Sequence, residues 1–436
     1  MKKRIALLLA CVMVLGLAAC GGTTAPAETK APAEAQAPAE TKPAAEAPAE
    51  GKPYAGVNLT MWSMWNSNEP QGEVIAQAAE AFEAETGAHI EIVWKGRDIN
   101  QILSASLEAG EEFDIFEDDY KRIGLSYAPY TYDLTEMAKA ADYESHSYPC
   151  INNQAIAWAG FLNSIAEQPQ VGGVFYDKDA FATAGITAEP TTWAEYLDVC
   201  AKLKDAGIAP QALDAAYADF TFFHQLVRHL GEPAIEELSL NGGWSQSEGA
   251  VAAAQEVIDF VNAGYLADGA PDEFPASENK IGYGMAAMIV CANYVTAEVN
   301  NNTQTEVNWG LFNYPAVENG ADNTAAYAGA NSLALTKYCK NPQAAFDFLM
   351  FLTTGEWDQK MADTAKQIPA DTRNTAPALL TGTIETLLSA ESPMTWCASL
   401  NANDAIKTDV KNLCTQIYEG KFATGADFCA AMDALY

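Results

Sequence analysis

Three strand–loop–helix units follow one another between Val57 and Tyr120, and an alternation of this kind leaves few folds open. Val57 to Trp62 reads as a strand. A helix then starts at Pro70, carries apolar residues at Val74, Ile75, Ala78, Ala79 and Phe82, and stops at Thr86-Gly87. Ile90 to Trp94 is the second strand, followed by a helix over Ile99 to Ala109. Phe113 to Phe116 is the third strand. The pattern implies a parallel sheet with right-handed crossovers. In such sheets ligands sit beyond the carboxyl ends of the strands. The loops that open there run from Ser63 to Glu69, from Lys95 to Asp98 and from Glu117 to Tyr120.

These loops concentrate the groups that hold a sugar. Hydroxyls need donors and acceptors in pairs, and the apolar face of a sugar ring needs an aromatic platform. The first loop offers Trp62, Trp65, Asn66 and Glu69, the second Lys95 and Arg97, and the third Glu117 and Asp118 beside Asp119. Each has a plainer reading. Trp62 alternates with Met61 and serves equally as core, and Asn66 to Asn68 read as a cap for the helix at Pro70. Glu117 to Asp119 read as a solvated acidic run, with Lys95 and Arg97 as its ion-pair partners.

The chain begins with Lys2-Lys3-Arg4, an apolar run from Ile5 to Gly16, and Leu17-Ala18-Ala19-Cys20. That arrangement is a targeting segment too short to span a bilayer comfortably. Its end resembles a bacterial lipobox, in which the cysteine is lipidated after cleavage. Residues 21–53 repeat units such as Ala25-Pro26-Ala27-Glu28 and Ala31-Pro32-Ala33-Glu34. With regular proline and almost no large apolar side chains, the stretch buries no core and acts as an extended tether. Loss of Lys2, Lys3 and Arg4 with the signal takes the net charge from −34 to −37. Such a surface argues against nucleic acid or an anionic membrane surface as the partner.

Farther on, Val171 to Tyr176 reads as a strand, Asp177-Lys178-Asp179 as a helix start, and Thr191 to Glu195 as a capped one. Asp214 to Leu230 carries His224 and His229, whose spacing does not put both on one helical face for metal. Gly282, Gly284 and Ala287 formally match a dinucleotide fingerprint, but an apolar strand-like run follows, so that reading is rejected. Nine cysteines shrink to seven once Cys11 and Cys20 are set aside. Cys200 and Cys414 fall on apolar helical stripes, as small core residues do. No CxxC pair occurs, and no cofactor or metal is expected.

The segments LTMWSMWNSNEP, FEAETGAHIEIVWKGRD, FDIFEDD, GGVFYDKDAFATAGI with PTTWAEYLDVCAKLKDAGIAP, GMAAMIVCANY, YAGANSLAL with NPQAAFDFLMFLTTGEWDQKMAD, and IPADTRN, in this order behind a lipobox, are together similar to one family. The chain resembles bacterial extracellular solute-binding proteins of ABC importers, of the carbohydrate-binding type related to maltose-binding proteins. The resemblance implies an α/β, two-lobed periplasmic-binding-protein-like fold of type II, crossed more than once at a hinge. Lobe one would be residues 54–170 and 331–366, and lobe two residues 171–330 and 367–436. By position, Trp65, Asn66 and Asp118 match cleft loops, and Gln170 and Asn331 lie at crossings. Tyr217 or Asp219 lies in a mid-lobe loop, Tyr294 takes the place of an aromatic platform, and Trp396 is a looser match. The implied partners are a small carbohydrate, the permease subunits of an ABC transporter, and the membrane through lipid on Cys20. The protein would be a monomer on the extracytoplasmic face of a Gram-positive-type cell.

Two other classes remain open. A two-lobed protein could bind a non-sugar solute such as an amino acid or a metal. A secreted glycosidase would need two carboxylates at a defined separation, and 58 acidic residues make any pair drawn from sequence meaningless. No GxSxG or HExxH motif supports another hydrolase.

Overall fold

A computed structural model describes residues 51–436 apart from 382–383 and 385–392. The signal segment, Cys20 and nearly all of the tether lie outside the described residues. Within them the first three strands are β1 (Asn58–Ser63), β2 (His89–Trp94) and β3 (Ile115–Asp119). β1 pairs in parallel with both β2 and β3, as the alternation with helices requires. Helix α1 (Pro70–Thr86) buries Val74, Ile75, Ala78, Ala79 and Phe82, and ends at Gly87 with a φ of 82°. A side chain at Gly87 would be strained in that left-handed conformation, and its Cβ would lie 3.0 Å from Ala55 Cα. Helices α2 (Ile99–Ala109) and α3 (Tyr120–Leu125) complete the three units.

Five further strands are β4 (Ile165–Asp177), β5 (Ala209–Gln211), β6 (Ala286–Ala292), β7 (Trp309–Phe312) and β8 (Ala328–Leu335). The order is β2-β1-β3-β8-β4-β6-β5, with β7 also paired to β4. β8 joins β3 and the first half of β4 antiparallel, while the second half of β4 pairs with β6 and β7. The long strand therefore belongs to both halves of the molecule. One core draws on residues between Leu59 and Ile165 and between Leu333 and Ala365. A second draws on Val174 to Tyr327 and Met394 to Met432. A smaller cluster with Tyr120, Val171, Phe175, Ala328 and Ala330 joins them where β4 and β8 run side by side. This is the mixed α/β architecture that the resemblance implies.

The structure moves three boundaries. Glu117, Asp118 and Asp119 lie in β3 instead of the loop after it, because Leu333, Ser332 and Asn331 of β8 pair with them. The strand expected at Val171 begins at Ile165. Pro169 sits just past a register shift between Ala166 and Gln168, where a strand tolerates proline. The helix expected from Asp214 starts at Ala218. The Asp214 carboxylate instead accepts from the backbone N–H groups of Ser277 (3.0 Å) and Glu278 (3.1 Å).

Other expectations hold. Thr192 and Glu195 form a reciprocal capping box at the helix Trp193–Asp205. Gly282 and Gly284 lead into strand β6 and not into a helix. His224 is buried with Nδ1 on the Phe220 carbonyl, and His229 bonds Glu256, so each ring has its own partner. All seven described cysteines are free and buried. No helix among the described residues is long and apolar enough to cross a membrane.

Candidate functional site

The carboxyl end of β1 is fixed from below by one buried acid. Glu117 Oε2 accepts from Ser63 Oγ (2.6 Å) and from the Met64 N–H (2.8 Å), which holds the turn that delivers Trp65. Burial pushes the Glu117 carboxyl up to about 7 against the opposing pull of those hydrogen bonds. Glu167 lies beside it at the irregular point of β4, and burial first, then Glu117, raise it as well. Two carboxyls this close in a dry site do not both ionise readily. Glu117 Oε1, both Glu167 oxygens, Trp65 Nε1 and Gln168 Nε2 are all buried without a hydrogen-bond partner. They face one another, since Trp65, Glu117 and Gln168 all act on the Glu167 carboxyl, but none of these contacts closes to a hydrogen bond of normal geometry.

Arg97 lies across the Trp65 indole, its guanidinium carbon 4.4 Å from the ring centre. Trp65, expected to be open to a ligand, is buried like Trp62, so only its edge is left to one. Arg97 donates to the Met64 carbonyl (2.7 Å) and to Glu69 Oε1 (2.8 Å). Glu69 Oε2 in turn accepts from Asn66 Nδ2 (3.1 Å). Trp65, Asn66, Glu69 and Arg97 therefore form one cluster on the edge that the parallel strands predict. Four other expected residues serve the frame. Trp62 stacks on Phe113 at 4.1 Å with Lys95 Nζ 3.8 Å from its ring centre, so both of its faces are covered. Asp118 has no exposed surface and takes Arg122 Nε on both oxygens at 3.0 Å, which leaves no edge for a ligand. Asp219 is buried and accepts from the Phe220 N–H (3.0 Å). Lys95 is engaged with Trp62 as a cation over an aromatic face.

The second half of the molecule presents aromatic rings. Trp396 lies against Phe220, and Tyr217, Tyr294 and Tyr327 approach its ring at 6.0, 6.4 and 5.5 Å. Tyr327 donates to Gln170 Oε1 (3.1 Å), which ties the aromatic group to the crossing strand β4. Gly172 makes that packing possible, since a Cβ there would lie 2.8 Å from Tyr327 and 3.1 Å from Phe220. Glu232 anchors the segment bearing Trp396 by accepting from the Thr395 N–H (2.8 Å) and Ser399 Oγ (3.2 Å). Tyr217, Tyr294 and Trp396 remain half-buried and so keep ring surface available. Asn331 pairs with Asp119 and with Gln168, at the floor between the two halves.

The halves face each other closely. Glu298, on the helix Val295–Thr303, is pushed up to about 7 by burial, with Arg97 pulling it down and Glu69 pushing it up. Lys121 of α3 feels both Asp119 on its own side and Glu232 on the other. Burial lowers its pKa overall. The sequence reading missed Glu167, Glu298, Phe220 and Tyr327. Glu167 lies just before the strand expected at Val171, and no spacing distinguishes Glu298 from other helical acids.

Comparison with known proteins follows the same lines. The family described as bacterial extracellular solute-binding protein matches residues 66–359. No curated protein matches the chain. Among solved structures, a chitin oligosaccharide binding protein superposes with a TM-score of 0.72 at 19% identity, covering 87% of this chain and 98% of that one. RafE in complex with raffinose gives 0.70 at 15% identity, covering 87% and 99%. A sugar transporter protein of Bacillus licheniformis in complex with stachyose gives 0.66 at 16%, also covering 87% and 99%. At these identities the likeness is one of fold.

Proposed function

Since its match spans residues 66–359, this chain belongs to the bacterial extracellular solute-binding protein family, and we propose that it captures a sugar or oligosaccharide between its two halves and delivers it to an ABC importer. The observation that carries this reading is the pairing of two surfaces at the strand crossing. One is a set of buried donors and acceptors beside Trp65 that face one another without closing hydrogen bonds of normal geometry. The other is a group of half-buried rings at Tyr217, Tyr294 and Trp396. A pyranose needs both, polar edges for its hydroxyls and aromatic faces for its C–H surface. Trp65, Asn66, Glu69, Arg97, Gln170, Tyr217, Tyr294, Asn331 and Trp396 are the proposed contacts, with Glu117 behind them as a positioning residue. The sugar-bound proteins with the same fold support the carbohydrate reading.

The lobes of the proposal are residues 54–170 with 331–366 and 171–330 with 367–436, hinged at β4 and β8. Sugar touching both lobes would shift them toward the closed form, which then meets the permease. Cys20 carries the lipid, and residues 21–53 hold the binding unit off the membrane on the extracytoplasmic face. The chain works as a monomer and performs no catalysis. A thermal-shift screen of the mature chain against mono- and oligosaccharides, amino acids and divalent cations tests the class. A ligand at one hundred times its dissociation constant adds about 2.7 kcal/mol, a clear rise in midpoint. A rise with a saccharide is expected, and a rise with amino acids or cations alone would overturn the carbohydrate reading.

A further inference from the structure

Beside Tyr217 and Tyr294 the protein gathers oxygens without donors. Glu278 has no exposed surface, and neither of its carboxyl oxygens has a hydrogen-bond partner. Glu298 Oε2, Asp272 Oδ1 and Asn279 Oδ1 are buried in the same condition. Asp214 is already committed to the N–H groups of Ser277 and Glu278, and the other Asp272 oxygen takes Lys280 Nζ at 2.8 Å. Glu298 stands one helical turn after Tyr294, its N–H on the Tyr294 carbonyl at 3.1 Å, and the Tyr217 N–H bonds the Asp214 carbonyl at 2.9 Å. Burial raises Glu278, with Glu298 and then Asp214 adding to it, and Glu298 and Glu278 act on the Tyr217 hydroxyl as well. Tyr217 and Tyr294 have ring centres 6.5 Å apart, and Phe274 meets Tyr217 edge-on at 6.0 Å with 47% of its surface exposed.

This set differs in kind from the one beside Trp65. There, unpaired donors and acceptors occur together, which suits hydroxyls. Here all five unpaired oxygens are acceptors when the acids ionise, and leaving such groups buried and unmet is costly. A hydroxyl supplies one donor, whereas an ammonium supplies three and is also drawn to aromatic faces. Among the described residues no three His, Cys, Asp or Glu side chains converge to hold a metal ion. Arg97, across the cleft, acts on Glu298 through space but is bonded to Glu69 and Met64.

We propose that the Glu278–Glu298 acceptor set beside Tyr217 and Tyr294 takes a protonated amine of the ligand, so that the preferred solute is an amino sugar or an oligosaccharide containing one. This rests on the carbohydrate reading and narrows it. Binding then favours the ionised form of Glu278, which burial raises to about 9, its proton leaving to solvent.

The test is a calorimetric titration of the mature protein at neutral pH with three probes of one linkage: the β-1,4-linked glucosamine trimer, its N-acetylated form and the neutral glucose trimer. The free-amine trimer is expected to bind at least about tenfold more tightly than the other two. Glu298→Gln should collapse that preference to about twofold or less. Glu278→Gln provides a second variant, and thermal melting reports whether each is folded. Equal or tighter binding of the acetylated or neutral trimer overturns the amine proposal and leaves the carbohydrate reading intact. A preference for the amine that both folded variants retain overturns its placement. Failure of every saccharide in the wider screen removes the carbohydrate reading itself.

Discussion

Trp396 lies flat on Phe220, with ring centres 3.8 Å apart and planes 3° from parallel. The contact joins a segment near the carboxyl terminus to the helix Ala218–Leu230, from the middle of the chain. Glu232, at the start of the next helix, holds the same segment through Thr395 and Ser399. Trp396→Ala removes a large ring from a well-packed stack and should cost about 2–4 kcal/mol. Thermal or urea melting checks it, and Glu232→Gln should cost less because it keeps an acceptor in place.

The buried acids predict a pH dependence with a definite sign. Glu117 moves from 4.5 to about 7 in the folded protein. Between those values the folded state holds a proton that the unfolded chain has lost, so stability falls as pH rises through that window. Glu298 and Asp358, both raised to about 7, and Asp214, raised to about 6, act in the same direction. His224, pushed by burial from 6.5 to about 3, opposes them, because its stabilising neutral form is lost to unfolding as pH falls below 6.5. Glu278, raised to about 9, adds to the acids' effect across the whole window. Five acids outweigh one histidine, so the melting midpoint should drop by several degrees from pH 5.5 to pH 8, roughly as a few kcal/mol would produce. Glu117→Gln can still accept from Ser63 and Met64, and should flatten the profile.

Gly172 tests the crossing. Its Cβ-less position lets Tyr327 and Phe220 close on β4. Gly172→Ala should destabilise by about 1–3 kcal/mol through overpacking, and it should also weaken sugar binding by displacing the Tyr327–Gln170 contact. Melting read together with a titration separates the two effects.

The thiols give a simpler check. All seven described cysteines are buried and unpaired, and burial raises Cys200, Cys291, Cys397 and Cys414 well above the ordinary thiol range. A thiolate-specific reagent should find almost none in the native mature protein and all seven after denaturation. Fast labelling of several thiols under native conditions would contradict the packing.

The parallel start of the fold was legible because its signals are local: Pro70 opens a helix, Gly87 closes it, and apolar spacing marks its buried face. That Trp65, Asn66 and Glu69 of the first loop should lie near Arg97 of the second followed from the parallel pairing of the strands that precede them. Trp62 and Asp118 were not separable from that cluster. Their roles depend on Phe113 and Lys95 in one case and Arg122 in the other, and sequence does not say which polar groups are already satisfied. Glu167 and Glu298 depend on strands and helices meeting across the crossing, which no local pattern encodes.

The central claim is that a saccharide sits between Trp65 and the rings of the other half. The most direct measurement is a calorimetric titration of the best saccharide from the thermal screen into the unmodified protein, Trp65→Ala and Tyr294→Ala, with melting curves to confirm folding. One site per chain is expected for the unmodified protein, with each folded variant weaker by about tenfold or more, as loss of an aromatic platform worth roughly 1.4 kcal/mol implies. Binding unchanged in both folded variants, or no heat from any saccharide, would contradict the account.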